Sequence, residues 1–132
     1  MILLDTCTLL WLSDPDARLP RSVENIIRST PPGQRFVSAI SAFEIAVKHA
    51  RGQLALPMAP QAWLDSTYAQ RGLACLPVTD RIACTAAALP ALHKDPADRI
   101  IVASAILNDL IVLTPDVHIR AYPGVKTRWS NA

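Results

Sequence analysis

Met1-Ile2-Leu3-Leu4-Asp5-Thr6 opens the chain as an apolar run closed by an acid, and Leu110-Ile111-Val112-Leu113-Thr114-Pro115-Asp116 repeats the pattern near the other end. Short runs of this kind read as strands buried on both faces, because neither face carries a polar residue. Further strands are expected at Arg35–Ser38 and Leu73–Val78, with a short one at Val125–Thr127. Helical segments separate them. Strands that alternate with helices predict a mostly parallel central sheet covered on both sides, an α/β fold.

The helices have legible ends. The first runs from Thr6 or Cys7 to Leu12. Pro20 suits the first turn of a second, Arg21–Arg28, whose Val23, Ile26 and Ile27 share one face. Ser41-Ala42-Phe43-Glu44 has the form of a capping box for a third, from about Ala42 to Arg51, with Gly52 as its C-terminal cap. Gln61–Arg71 is closed by Gly72. Thr79 can cap a helix that carries Ile82–Leu89 and stops at Pro90. Asp95 caps the last, with Pro96 in first position, and that helix reaches about Asn108.

A chain of 132 residues, half of it apolar, supports one domain over residues 1–132 and excludes a disordered tail. A net charge of +2 does not by itself announce a nucleic-acid binder, although several cations flank the acids. Cys7, Cys75 and Cys84 have no paired spacing and read as reduced thiols filling core and helix positions. No basic segment precedes the first strand, and Ile100–Leu107 is too short to span a bilayer. The expectation is a cytoplasmic protein without a membrane segment.

Four acids sit where strands end or helices begin: Asp5, Glu44, Asp98 and Asp116. In an open parallel sheet, ligands bind beyond the carboxyl ends of the strands. The four can therefore meet in one cleft, where their mutual repulsion calls for a hard divalent cation such as Mg²⁺, or Mn²⁺ in its place. Such ions activate water and stabilise a leaving oxygen, so the chemistry suggested is phosphodiester hydrolysis. Each acid also has a bland reading. Glu44 can be the capping-box partner of Ser41, Asp98 a first-turn acid favoured by the helix dipole, and Asp116 a turn residue. Asp5 is harder to explain away, since a charge beside a buried strand is costly unless used. His93 reads as a loop residue or substrate contact rather than a ligand. The apolar Leu9-Leu10-Trp11-Leu12 segment has too many apolar sides for a short helix, and part of it is expected to face a partner.

These residues resemble those of PIN-domain ribonucleases. Leu4-Asp5-Thr6, the segment from Ser38 to Ile45, His93-Lys94-Asp95-Pro96-Ala97-Asp98-Arg99 and Leu113-Thr114-Pro115-Asp116 fall in that family's order, most similar to VapC-type toxins. The resemblance covers essentially the whole chain. It implies a three-layer α/β/α sandwich and a Mg²⁺ site built from Asp5, Glu44, Asp98 and Asp116. Thr6 and Thr114 match small hydroxyl residues that support such a site. Asp95 is the less certain acid of its segment, and Arg99 matches the arginine beside the third acid, a candidate to hold the RNA backbone. It further implies a structured RNA substrate such as tRNA or rRNA, a cognate antitoxin protein and a homodimer. Phe43 and Ala97 depart from it, standing where tryptophan and a bulkier aromatic are common. Rival readings are a non-toxin PIN nuclease in RNA processing and a non-catalytic acidic-pocket signalling module. A receiver-like module needs an acid pair after the first strand and a lysine after the last; neither is present. An Asp-x-Asp phosphatase is excluded by Cys7.

Overall fold

The structure, a computed structural model, describes residues 1–16 and 19–130. In chain order its elements are β1 (Ile2–Leu4), α1 (Thr6–Leu12), α2 (Arg21–Ser29), β2 (Arg35–Ser38), α3 (Ala39–Ala50), α4 (Pro60–Arg71), β3 (Ala74–Leu76), α5 (Asp80–Ala88), α6 (Pro96–Asn108), β4 (Ile111–Leu113), α7 (Val117–Arg120) and β5 (Lys126–Arg128). The strands form one sheet in the order β3-β2-β1-β4-β5, and every neighbouring pair is parallel. Leu4 pairs with Val37 on one side and Leu113 on the other, so the carboxyl ends of β1, β2 and β4 lie level at one edge.

β1 is central and buried on both faces, which is why it has no polar residue. Its alternation divides the core. Ile2 and Leu4 pack with Leu9, Val23, Ile27, Ile45 and Leu64 under α1 to α4. Leu3 points the other way and packs with Val112, Ile101, Val102 and Ile119 under α6 and α7. α5 lies outside α6, joined through Ile82, Ala86 and Ala103. The result is the expected three-layer α/β/α sandwich.

Four details differ from the sequence reading. α3 starts at Ala39 rather than Ala42, because Ser38 is its cap and accepts the Ile40 amide hydrogen. The capping box of Ser41 and Glu44 does not form, since both side chains are drawn to Thr6. The short helix α7 was not anticipated; four residues are too few to show a period. The thiols are also not core filler: Cys75, on edge strand β3, and Cys84, on outer helix α5, are exposed, and Cys7 is half-buried. Gly72 ends α4 at φ +62°, where a Cβ would lie 3.2 Å from Pro32 and Arg35. Among the described residues no helix is long and apolar enough to cross a membrane.

Candidate active site

The acids after β1 and β4 are held by the helices that follow them. Asp5 caps α1, its Oδ1 accepting the Thr8 amide hydrogen at 2.9 Å, and is almost fully buried. Asp116 caps α7 in the same way through His118 at 2.8 Å, and Asp95 caps α6 through Ala97 at 2.9 Å. A cap uses one carboxylate oxygen and fixes the side chain's direction, leaving the second oxygen for other work. Capping and site chemistry are thus compatible in one residue.

Glu44 is placed from across the sheet edge. The Thr6 hydroxyl donates to Glu44 Oε1 at 2.6 Å and lies 2.8 Å from the Ser41 hydroxyl. Thr6 has one hydroxyl hydrogen, so Ser41 is the donor of that second bond. Glu44 also meets Lys48 at 3.9 Å, one turn on. Thr114, fully buried, accepts the Asp116 amide hydrogen on its hydroxyl at 3.0 Å and so sets the turn that aims Asp116.

His93 stands at the centre of the cleft. Its Nε2 lies 2.7 Å from Asp98 Oδ2 and 3.6 Å from Asp116 Oδ2. Nδ1 accepts the Asp95 amide hydrogen at 3.2 Å, so in the neutral ring Nε2 carries the proton that points at Asp98. The His93 amide donates to the buried Tyr122 hydroxyl at 3.0 Å, which ties the loop before α6 to the segment after α7. The sequence reads His93 as a loop residue, and the structure places it in the loop before α6; that it faces Asp98 and Asp116 is not written in its spacing.

His93, Asp98 and Asp116 each offer an atom within 4.8 Å of the others, a group of metal-ligand size. Asp5 and Glu44 are outside that tight group, and the charge of Glu44 is felt at Asp98. Burial, then the charge of Asp95, pushes the Asp98 carboxyl up to about 7, with Asp116 and Glu44 adding to the rise and His93 opposing it. Burial and then Asp5, with a further contribution from Asp116, push the Cys7 thiol far above its usual range. Cys7 therefore remains an S–H donor to Asp5, 3.3 Å away, and not a nucleophile.

Arg99, a candidate to support the site or to hold the RNA backbone, is engaged within the protein: its guanidinium donates to the carbonyls of Ala86, Ala87 and Leu89 at 2.9–3.2 Å and to those of Pro90 and His93 at 3.2 and 3.5 Å. A planar cation at the carboxyl end of α5 satisfies carbonyls that have no helical partner, and the helix dipole favours it there. Arg99 fastens α5 and the His93 loop to α6.

The donor chemistry fits a hard divalent cation. Carboxylate oxygens suit Mg²⁺ or Mn²⁺, and such a cation would relieve the part of the Asp98 rise that comes from the neighbouring carboxylates, which adds to that of burial.

Comparison with known proteins places the fold. The PIN domain family model matches residues 2–125. Ribonuclease VapC22 of Mycobacterium tuberculosis is 33% identical over 133 residues, covering 97% of this chain and 98% of the relative. A toxin–antitoxin complex from Klebsiella pneumoniae superposes with a TM-score of 0.66 at 25% identity, covering 98% of this chain and 99% of its own. VapBC2 from Rickettsia felis, bound to a DNA fragment from its promoter, has the same fold with a TM-score of 0.69 at 15% identity, covering 97% and 98%. With its acids gathered at the carboxyl edge of a parallel sheet and the family match running over nearly its whole length, the chain belongs to the PIN domain family.

Proposed function

We propose that this protein is a divalent-metal-dependent endoribonuclease of the VapC type, the toxin of a toxin–antitoxin pair, hydrolysing phosphodiester bonds in structured RNA such as tRNA or rRNA. One observation carries the reading: Asp98 and Asp116 meet at His93 in one cleft, and burial, then the charge of Asp95, with smaller contributions from Asp116 and Glu44, raises the Asp98 carboxyl. The likeness to a relative named a ribonuclease, and to toxin–antitoxin complexes, supports it.

Asp5, Glu44, Asp98 and Asp116 hold the cation, with Mg²⁺ the first choice and Mn²⁺ the alternative. When bound, it activates water and offsets the negative charge that builds on the phosphate. Thr6 and Ser41 hold Glu44 in place, and Thr114 and the α7 cap hold Asp116. Asp95 acts through its cap on α6 and its amide on His93, outside the ligand set. His93 keeps an N–H between Asp98 and Asp116 and so offsets the repulsion of their carboxylates.

The antitoxin is a protein segment that covers the half-exposed Leu10 and Trp11. These two residues line a cavity of about 470 Å³ with Leu54, Leu56, Pro57 and Trp63, a form suited to an apolar helix face. The remaining parts of the reading are a cytoplasmic location, a single domain over residues 1–132 and a homodimer.

The test compares wild type with Asp5→Asn on total cellular RNA, with Mg²⁺ and with chelator, each protein freed of partner. Asparagine keeps the α1 cap, so the fold survives while a charged ligand is lost. Discrete cleavage by wild type with metal alone is expected. Equal cleavage by Asp5→Asn refutes the assignment.

A further inference from the structure

A second cavity, of about 240 Å³, opens beside the acid cleft between α3 and the start of α6. Glu44 and Asp95 belong to both, so the cavity continues directly from the site. Its walls are apolar: Phe43 and Val47 on α3, Pro96 and Ala97 on α6. Phe43 precedes the site acid Glu44 and is 65% exposed, an unusual state for a phenyl ring. Ala97 is buried, and its single methyl leaves the space open. Lys48 and Arg51 line it as well, and Lys48 also meets Glu44.

We propose that this cavity is a nucleobase subsite, which takes one unpaired base of the RNA next to the scissile phosphate. The inference rests on the nuclease reading and adds the part of the substrate that the acids cannot recognise. The volume is below the roughly 300–1,000 Å³ of a pocket for a drug-sized ligand, and suits one planar ring. An exposed aromatic face is what an extruded base stacks on, and proteins that read single-stranded RNA use such platforms. Charge argues for RNA over an apolar peptide. The acids hold the cation and, through it, a phosphate, while Lys48, 3.9 Å from Glu44, and Arg51 line the same cavity and supply positive charge for a neighbouring phosphate of the strand. The subsite therefore directs cleavage to loops and bulges, where a base can leave its stack.

The test uses a synthetic RNA that spans the cut mapped on total RNA, and a series in which each nucleotide near the cut is made abasic in turn. Wild type and Phe43→Ala are compared with Mg²⁺ present. One abasic position should lower wild-type kcat/KM by about 5- to 150-fold, the worth of one stacked base. Phe43→Ala should show a like loss on the intact RNA and no further loss on that abasic one, whereas Phe43→Trp retains activity. Ala97→Phe, which fills the cavity, should behave as Phe43→Ala does. If wild type cleaves and Phe43→Ala cleaves equally well, or if the two losses multiply, the subsite is wrong. Phe43→Ala that cleaves normally but no longer binds antitoxin overturns it in favour of an antitoxin side chain. A wild type that cuts no RNA fails earlier, at the nuclease reading itself.

Discussion

His93 Nε2 lies 2.7 Å from Asp98 Oδ2, and the hydrogen on that nitrogen occupies the space that a cation bound to Asp98 would need. The bond is fixed from behind, because Nδ1 is held by the Asp95 amide. His93→Ala removes the competing donor and leaves Asp98 and Asp116 more strongly repelled. Both effects favour the cation. Mg²⁺ should bind about tenfold more tightly or better, on the scale of one charge-assisted hydrogen bond. Calorimetric titration decides it. Weaker binding would make His93 a ligand instead.

Asp98 gives the metal-free protein a pH dependence of defined sign. Its carboxyl is raised from an ordinary value of 3.8 to about 7, so folding favours the protonated form. The associated stability is complete below about pH 4, and is lost as pH rises through about 7. In chelator, the wild-type melting temperature should fall between pH 5 and pH 8 more steeply than that of Asp98→Asn. Mg²⁺ should restore it at pH 8 for wild type alone. Parallel curves for the two proteins would remove Asp98 as the cause.

Thr6→Val tests how Glu44 is held. The substitution keeps the shape and deletes the hydroxyl that donates to Glu44 at 2.6 Å and accepts from Ser41. Leaving a buried donor without a partner costs about 1–3 kcal/mol. Loss of the orienting bond should lower metal affinity or cleavage about 10- to 100-fold. Thermal melts and cleavage rates measure the two separately, and an unchanged rate would mean that Glu44 finds its place without Thr6.

Arg99→Lys separates support from RNA contact. A lysine cannot span five carbonyls as the guanidinium does, and a loss of about 1–3 kcal/mol is expected from bonds that a single ammonium cannot replace. The salt dependence of RNA affinity should be unchanged, because a residue that touches no phosphate contributes nothing to it. A shallower salt slope with unaltered stability would return Arg99 to the RNA.

Glu44 and Ser41 show where reading from sequence stops. Their three-residue spacing fits a capping box, and the same spacing puts both side chains on one face of a helix that begins three residues earlier, at Ala39. Local pattern cannot choose between these, since the choice depends on Thr6, which arrives from 35 positions away. Asp5 and Asp116 show a different limit: the sequence does not reveal them as helix caps, yet each caps a helix with one carboxylate oxygen and keeps the other for the cleft.

The run Ile2-Leu3-Leu4, with its counterpart Ile111-Val112-Leu113, determined the fold unaided. Strands apolar on both faces must be covered on both, and alternation with helices then makes them parallel. That arrangement also dictated where Asp5 and Asp116 would lie, just past the carboxyl edge. Only tertiary structure decided the company they keep. His93 entered the cleft because its loop is pinned by Tyr122, and Arg99 left it because the open carbonyls of α5 are closer partners. Burial periodicity is a local property of the chain and survives in its sequence. The direction of a loop or a long side chain is set by whichever distant groups lack partners, and those become neighbours only on folding.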